Sequence, residues 1–183
     1  MEPLDDTKFS GTKEVAEHLT IEALKLQPWI DEFVPEAGKI NSIEQFKGGQ
    51  SNPTYKITTD TKSLVLRRKP PGKLLPSAHA VDREYKVITA LYETDVPVPK
   101  TYGLCEDDDV AGTAFFVMDF LDGDLFWDPM IPSVTNKDRT EIYQNKNKTL
   151  AKLHSVDYKK IGLEGYGKPG NYVARQVSRW SKQ

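Results

Sequence analysis

The 183 residues are 38% apolar and 28% charged, enough to bury a core and too balanced for bulk disorder. A formal net charge of −2, from 25 Lys+Arg against 27 Asp+Glu, argues against a nucleic-acid or membrane-surface partner. The single cysteine, Cys105, excludes an internal disulfide framework and any multi-cysteine zinc site, and fits a reducing compartment.

Residues 1–19 read as a polar, unpatterned tail. They have neither the apolar region of a secretory signal nor the arginine-rich, acid-poor character of a transit peptide. No run approaches the ~20 apolar residues of a transmembrane segment. The chain therefore reads as intracellular, in the cytoplasm or an organelle lumen, mitochondrion and peroxisome included. From Thr20, a plausible N-cap, Ile21, Leu24, Ile30, Phe33 and Val34 follow a helical pattern that Gly38 ends. Pro28 has to kink that helix or begin a second one. The expected role is a helix laid on the following domain.

Ile40–Lys47 and Thr54–Thr58 read as antiparallel strands on either side of the small-residue turn Gly48-Gly49-Gln50-Ser51-Asn52-Pro53. Asp60-Thr61-Lys62 turns into a third strand, Ser63–Arg67, and Pro70-Pro71-Gly72 stops the sheet. A helix runs from Ser77 to about Glu93. Its residues Val81, Tyr85, Ile88 and Leu91 make one apolar stripe, and Glu84 lies on that stripe. A carboxylate there either has a partner or reaches solvent at the stripe's edge.

Lys100–Cys105 reads as a fourth strand, Glu106-Asp107-Asp108-Asp109 as a solvated hairpin tip, and Thr113–Met118 as a fifth strand at the centre of the sheet. After Gly123 the pattern changes. Leu125–Pro132 is an aromatic, proline-interrupted loop expected to pack. Thr135 or Asn136 caps a helix through His154, with Ile142, Tyr143, Leu150 and Leu153 on one face. Beyond the glycine-rich Gly162–Gly170 stretch, Gln176–Lys182 opens another helix.

The stretch from Phe46 to Glu84 carries the chemistry. A turn of small residues leaves backbone N–H groups free to face an anion, and a cation oriented by a neighbouring acid supplies fixed positive charge. Arg67 is the candidate cation and Glu84 the candidate acid. Strand alternation puts Arg68 on the opposite face from Arg67.

The blocks Phe46–Tyr55, Leu64–Gly72 and Ser77–Tyr85, in this order, resemble the aminoglycoside-phosphotransferase-like (choline-kinase-like) small-molecule kinases. Within that family the chain is most similar to the kinase-like module that precedes the acyl-CoA dehydrogenase domain of family members ten and eleven. Leu150–Ser155 and the segment from Gly165-Tyr166-Gly167 to Trp180 fit the same branch, so the resemblance covers about Ile40 to Gln183. It implies an α+β fold in which a kinase-like N-lobe, a five-stranded antiparallel sheet with one helix, precedes the start of a helical C-lobe. The boundaries it suggests are 1–39 for the tail and packing helix, 40–123 for the N-lobe and 124–183 for an incomplete C-lobe.

The resemblance also implies ATP with Mg2+ as cofactor. Gly48, Gly49, Gln50, Ser51 and Asn52 would contact its phosphates, Arg67 and Glu84 would form the cation–acid pair, and Asp119 (carbonyl) and Leu121 (amide) would meet the adenine edge after Met118. Arg67 stands where the family has lysine, which keeps the charge but changes a point charge into a planar fork.

No His-Gly-Asp catalytic motif occurs: His18, His79 and His154 precede Leu19, Ala80 and Ser155. His154 is expected to cap its helix instead. The catalytic acid and the metal ligands are expected downstream of residue 183. No residue here is therefore assigned as catalytic or metal-binding, and the chain is expected to be inactive alone. Two readings follow. One is the ATP-binding part of a phosphotransferase that acts on a small-molecule hydroxyl, for which the resemblance suggests a hydroxyacyl compound. The other is a non-catalytic module that binds nucleotide or a partner, with association through the exposed face of the helical part.

Overall fold

The computed structural model describes residues 10–48, 51–74, 79–167 and 170–181. Its centre is an antiparallel sheet of six strands: β1 (Thr12–Lys13), β2 (Ile40–Phe46), β3 (Thr54–Thr59), β4 (Ser63–Arg68), β5 (Thr101–Cys105) and β6 (Phe115–Asp119), in the order β1-β2-β3-β4-β6-β5. Five of these are the strands the sequence predicts. The sixth, β1, lies in the stretch read as unpatterned, where Thr12 pairs with Phe46 and Lys13 with Gln45. Two residues are too few for a period of two to register, so only the pairing reveals the strand. The strand predicted at the centre, β6, is instead next to the edge, between β4 and the edge strand β5, because β1 and β2 extend the sheet on the other side.

One helix covers each face. On the first face, α1 (Ala23–Phe33) buries Leu26, Trp29 and Ile30 against Tyr55, Ile57, Leu64, Leu66, Phe115 and Val117. Trp29 stacks on Phe33 (ring centroids 4.5 Å apart) and meets Phe115 edge-on at 5.2 Å. At about 1.5–3 kcal/mol per fully buried large apolar side chain, this layer dominates the fold's hydrophobic stabilisation. The helix begins after Glu22 rather than Thr20, and it runs through Pro28 as one element instead of splitting. The carbonyl that loses its partner there belongs to Leu24, which is 90% exposed and open to water.

On the second face, α2 (Val81–Leu91) packs Val81, Tyr85 and Ile88 against Ala114, Leu104, Phe116 and Met118. The predicted start at Ser77 lies outside the described residues. The acidic stretch is more than a hairpin tip. Asp107 caps a one-turn helix, α3 (Asp108–Ala111), by accepting from the Asp109 amide at 2.9 Å, and Gly112 closes it at φ +82°. Val110 and Ala111 are thereby turned into the core.

The last third is built differently. Thr135 caps α4 (Asn136–His154) as expected, and His154 lies in its last turn. The final helix, α5 (Tyr172–Trp180), starts four residues before its predicted beginning at Gln176. The loop expected to pack is mostly open: Leu125, Phe126, Trp127 and Met130 are exposed, and Ile131 alone of that loop is buried. Past Ile131 no described side chain is buried, and Tyr172, Val173, Val177 and Trp180 are each more than 60% exposed. No helix among the described residues is long and apolar enough to cross a membrane.

Candidate functional site

Strand alternation decides what each face of β4 presents. Leu64, Leu66 and Arg68 point to the α1 side, and Val65 and Arg67 point to the α2 side. Arg68 is only 3% exposed and has no acid partner among the described residues. It donates to the carbonyls of Ala111 (2.5 Å) and Leu19 (2.8 Å) and to the Tyr55 hydroxyl (2.7 Å), fastening the N-terminal segment and α3 to the sheet. The sequence placed it on the opposite face from Arg67, and its role is structural.

Arg67 and Glu84 come together across 17 residues. The Arg67 Nε and one terminal nitrogen both donate to the Glu84 carboxylate, the second at 3.2 Å, in a side-on fork. The other terminal nitrogen donates to the Thr54 hydroxyl at 3.1 Å. A guanidinium has five N–H donors. Three are engaged, so one on each terminal nitrogen remains for a ligand among the described residues. The two side chains are 30% and 35% exposed, so Glu84 is both paired and in reach of solvent. The two alternatives left open by its place on the stripe hold together.

The sequence reading missed what holds Glu84. Asn52, 6% exposed, donates from its amide nitrogen to Glu84 at 2.9 Å, and its amide oxygen lies 2.9 Å from His79 Nδ1. Because the carboxylate only accepts, the Asn52 amide orientation is fixed, and His79 Nδ1 must be the donor. Asn52 also takes the Thr54 hydroxyl on its backbone carbonyl at 3.1 Å. The side chain of Asn52 thus ties the turn to α2 rather than projecting toward a ligand. His79 has φ 57°, a conformation uncommon outside glycine, at the entry to α2. No spacing in the sequence signals a contact between residues 27 apart.

Gly48 is half-buried at the start of the small-residue turn and Ser51 is exposed near its end. Gly49 and Gln50 lie outside the described residues. Along the same face of the sheet lies a cleft of about 950 Å³, within the range of small-molecule sites. Phe46, Val65, Met118 and Leu121 supply apolar walls, and the Asp119–Gly123 segment forms one rim. Val65 pairs with Met118 across β4 and β6, and Arg67 lies two residues farther along β4, roughly 7 Å away. Phe46 stacks on Phe120 at 6.3 Å, with Lys56 Nζ 4.6 Å from the Phe120 ring. The Leu121 amide makes no hydrogen bond among the described residues. Ser10 and Gly11, from the tail, also reach this cleft.

The Asp119 side chain does not face the cleft. It turns to the α1 side, where the Tyr102 hydroxyl donates to it at 2.7 Å and Lys62 Nζ lies 3.5 Å away. Burial, together with Asp119, pushes the Tyr102 hydroxyl pKa up, and the Tyr102 hydrogen bond raises that of Lys62.

The residues present fit a nucleotide: an apolar cleft, a free amide on its rim, and a cation with two spare donors beside it. No group of three His, Cys, Asp or Glu side chains among the described residues could hold a metal ion. Glu84 is already engaged by Arg67 and Asn52.

Residues 42–183 match the model of the phosphotransferase enzyme family. The chain is 54% identical over 146 residues to the Arabidopsis thaliana protein named probable acyl-CoA dehydrogenase IBR3, covering 77% of this chain and 18% of that protein. It is 46% identical over 142 residues to acyl-CoA dehydrogenase family member 11 of Homo sapiens, covering 78% and 18%. With family member 10 of Mus musculus the identity is 46% over 139 residues, covering 76% and 13%. Among solved structures, a candidate aminoglycoside phosphotransferase from Ralstonia eutropha superposes with a TM-score of 0.75 at 46% identity, covering 89% of this chain and 47% of that one. The chain thus spans less than a fifth of these three curated relatives and about half of the solved neighbour.

Proposed function

Because the chain belongs to the phosphotransferase enzyme family, we propose that residues 40–123 form its nucleotide-binding lobe and that this lobe holds ATP. The observation that carries this reading is the Arg67–Glu84 fork, with two guanidinium donors left over, beside an apolar cleft. Adenine would occupy the cleft between Val65 and Met118, with the Asp119 carbonyl and Leu121 amide at its polar edge. The phosphates would extend toward Arg67 and the backbone of the turn that contains Gly48 and Ser51. Glu84 does not touch the nucleotide in this scheme. It holds Arg67 in place, so the charge facing the phosphates needs no reorganisation on binding.

When bound, magnesium would neutralise phosphate charge, and no step through it is assigned to the described residues. The reaction class is transfer of the γ-phosphoryl group to a hydroxyl. The acceptor is proposed to be a hydroxyacyl compound, because curated relatives of the chain carry acyl-CoA dehydrogenase names. The 183 residues contain no His-Gly-Asp, so binding without turnover is expected of this chain by itself.

Calorimetric titration of ATP into the chain and into Arg67→Ala tests the site. Binding by the unsubstituted chain that falls about tenfold or more in the variant is expected for a lost charged contact. Equal affinities would overturn the assignment. Release of γ-phosphate above that of the variant would overturn the expectation of inactivity.

A further inference from the structure

Behind the rim of the cleft, on the side away from it, four side chains make a continuous polar chain. Glu36 lies 3.5 Å from Lys62 Nζ; Lys62 donates to the Tyr102 hydroxyl at 2.5 Å; that hydroxyl donates to Asp119 Oδ1 at 2.7 Å. Lys62 stands 3.5 Å from the same Asp119 oxygen, which closes a triangle. The Tyr102 ring is flanked by two cations, Lys62 and Lys100, each with its Nζ 4.9 Å from the ring centroid. Four segments meet here: the turn Pro35–Ala37 after α1, the β3–β4 turn, β5 and the end of β6.

Asp119 is where regular structure ends. Its amide donates to the Lys100 carbonyl at 2.9 Å, and the residues after it are irregular and, from Leu121 to Trp127, exposed. The side chain is therefore anchored on the α1 side of the sheet, and the backbone that follows enters the cleft. Alternation in β6 makes this division: Met118 faces the cleft, so Asp119 must face away from it. The Phe46–Phe120 stack holds the next residue on the cleft side, and the Tyr102–Asp119 bond holds the end of β6 from behind.

We infer that Tyr102 and Lys62 are positioning residues for the cleft: by holding the Asp119 carboxylate they set the 119–121 backbone against the hydrogen-bonding edge of a purine. The inference rests on the nucleotide reading above and goes beyond it, because neither side chain touches the ligand. It makes recognition of the base, and not of the phosphates, depend on a hydroxyl behind the sheet. The phosphates are held at the other end of the cleft, by Arg67 and the turn.

Tyr102→Phe removes the hydroxyl and keeps the ring that packs against the core and the two lysines. Titrations of ATP and of inorganic tripolyphosphate into this variant, with the unsubstituted chain alongside, separate base from phosphate recognition. A loss of about 3–10-fold for ATP is expected, with tripolyphosphate unchanged within about twofold. Lys62→Met should show the same pattern more weakly. A general loss of structure would weaken both ligands equally, and that outcome overturns the inference, as does unchanged ATP affinity.

Hydrogen exchange of the ligand-free chain supplies a readout independent of any nucleotide. The Asp119 amide should exchange faster in Tyr102→Phe, and unchanged protection overturns the inference. Failure of the unsubstituted chain to bind ATP would strike the nucleotide reading itself. ATP binding that survives Tyr102→Phe intact would strike only the positioning role.

Discussion

Glu84 should matter more to folding than Arg67, although the two form one pair. Arg67→Met removes the fork but leaves Glu84 bonded to Asn52 and about a third exposed, where water can replace the lost donors. The cost falls near that of exposed ion pairs, about 1 kcal/mol. Glu84→Met leaves Arg67 with Thr54 alone, and it strands the Asn52 amide at 6% exposure with no acceptor. An orphaned buried donor costs about 1–3 kcal/mol, so the variant should lose about 2–3 kcal/mol in all. Once Glu84 is gone, removing Arg67 should change little, so the double variant should match Glu84→Met. That gives a coupling energy of about 1 kcal/mol. Urea unfolding of the four proteins measures it. Additive losses within about 0.3 kcal/mol, or a larger loss from Arg67→Met than from Glu84→Met, would refute the network.

Two further outcomes follow from the packing and electrostatics. Gly103→Ala would set its Cβ 2.8 Å from Phe33 Cδ1 and 2.9 Å from Trp29 Cζ2, inside the ring stack of α1. The rings would have to move, so a loss of about 1–3 kcal/mol is expected by urea unfolding, and unchanged stability would show that the α1 contact is loose. Asp60 accepts from the Lys39 amide at 2.9 Å and the Asn41 side chain at 3.1 Å, and these bonds lower its pKa. A lowered folded pKa adds stability that is fully present above about pH 4 and is lost as pH falls through the folded value. The stability difference between the chain and Asp60→Asn should therefore shrink on acidification from about pH 6 to about pH 2. A constant difference would refute the role of the carboxylate.

How much of the site was legible depended on whether a feature lay within one segment. The stripe Val81, Tyr85, Ile88 and Leu91 identified α2 and put Glu84 on it, because a helical period repeats several times in 11 residues. Alternation in β4 separated Arg67 from Arg68 for the same reason. The β1 pairing, the helical turn of α3 and the unbroken α1 were not legible: each is one or two turns or pairs long, or depends on a carbonyl's access to water.

The sequence by itself determined the strand-turn-strand order, the charge on each face of β4 and the family resemblance, since these are properties of residue order and local period. It also named Arg67 as the candidate partner of Glu84, a pairing that the resemblance implies as well. The tertiary structure alone decided that Asn52 and His79 hold that acid, that Arg68 anchors the tail, and that Tyr102 and Lys62 grip Asp119 from behind the sheet. Those contacts join residues from 17 to 57 positions apart. Local periodicity fixes the direction of a side chain, whereas strand order and register fix what it meets.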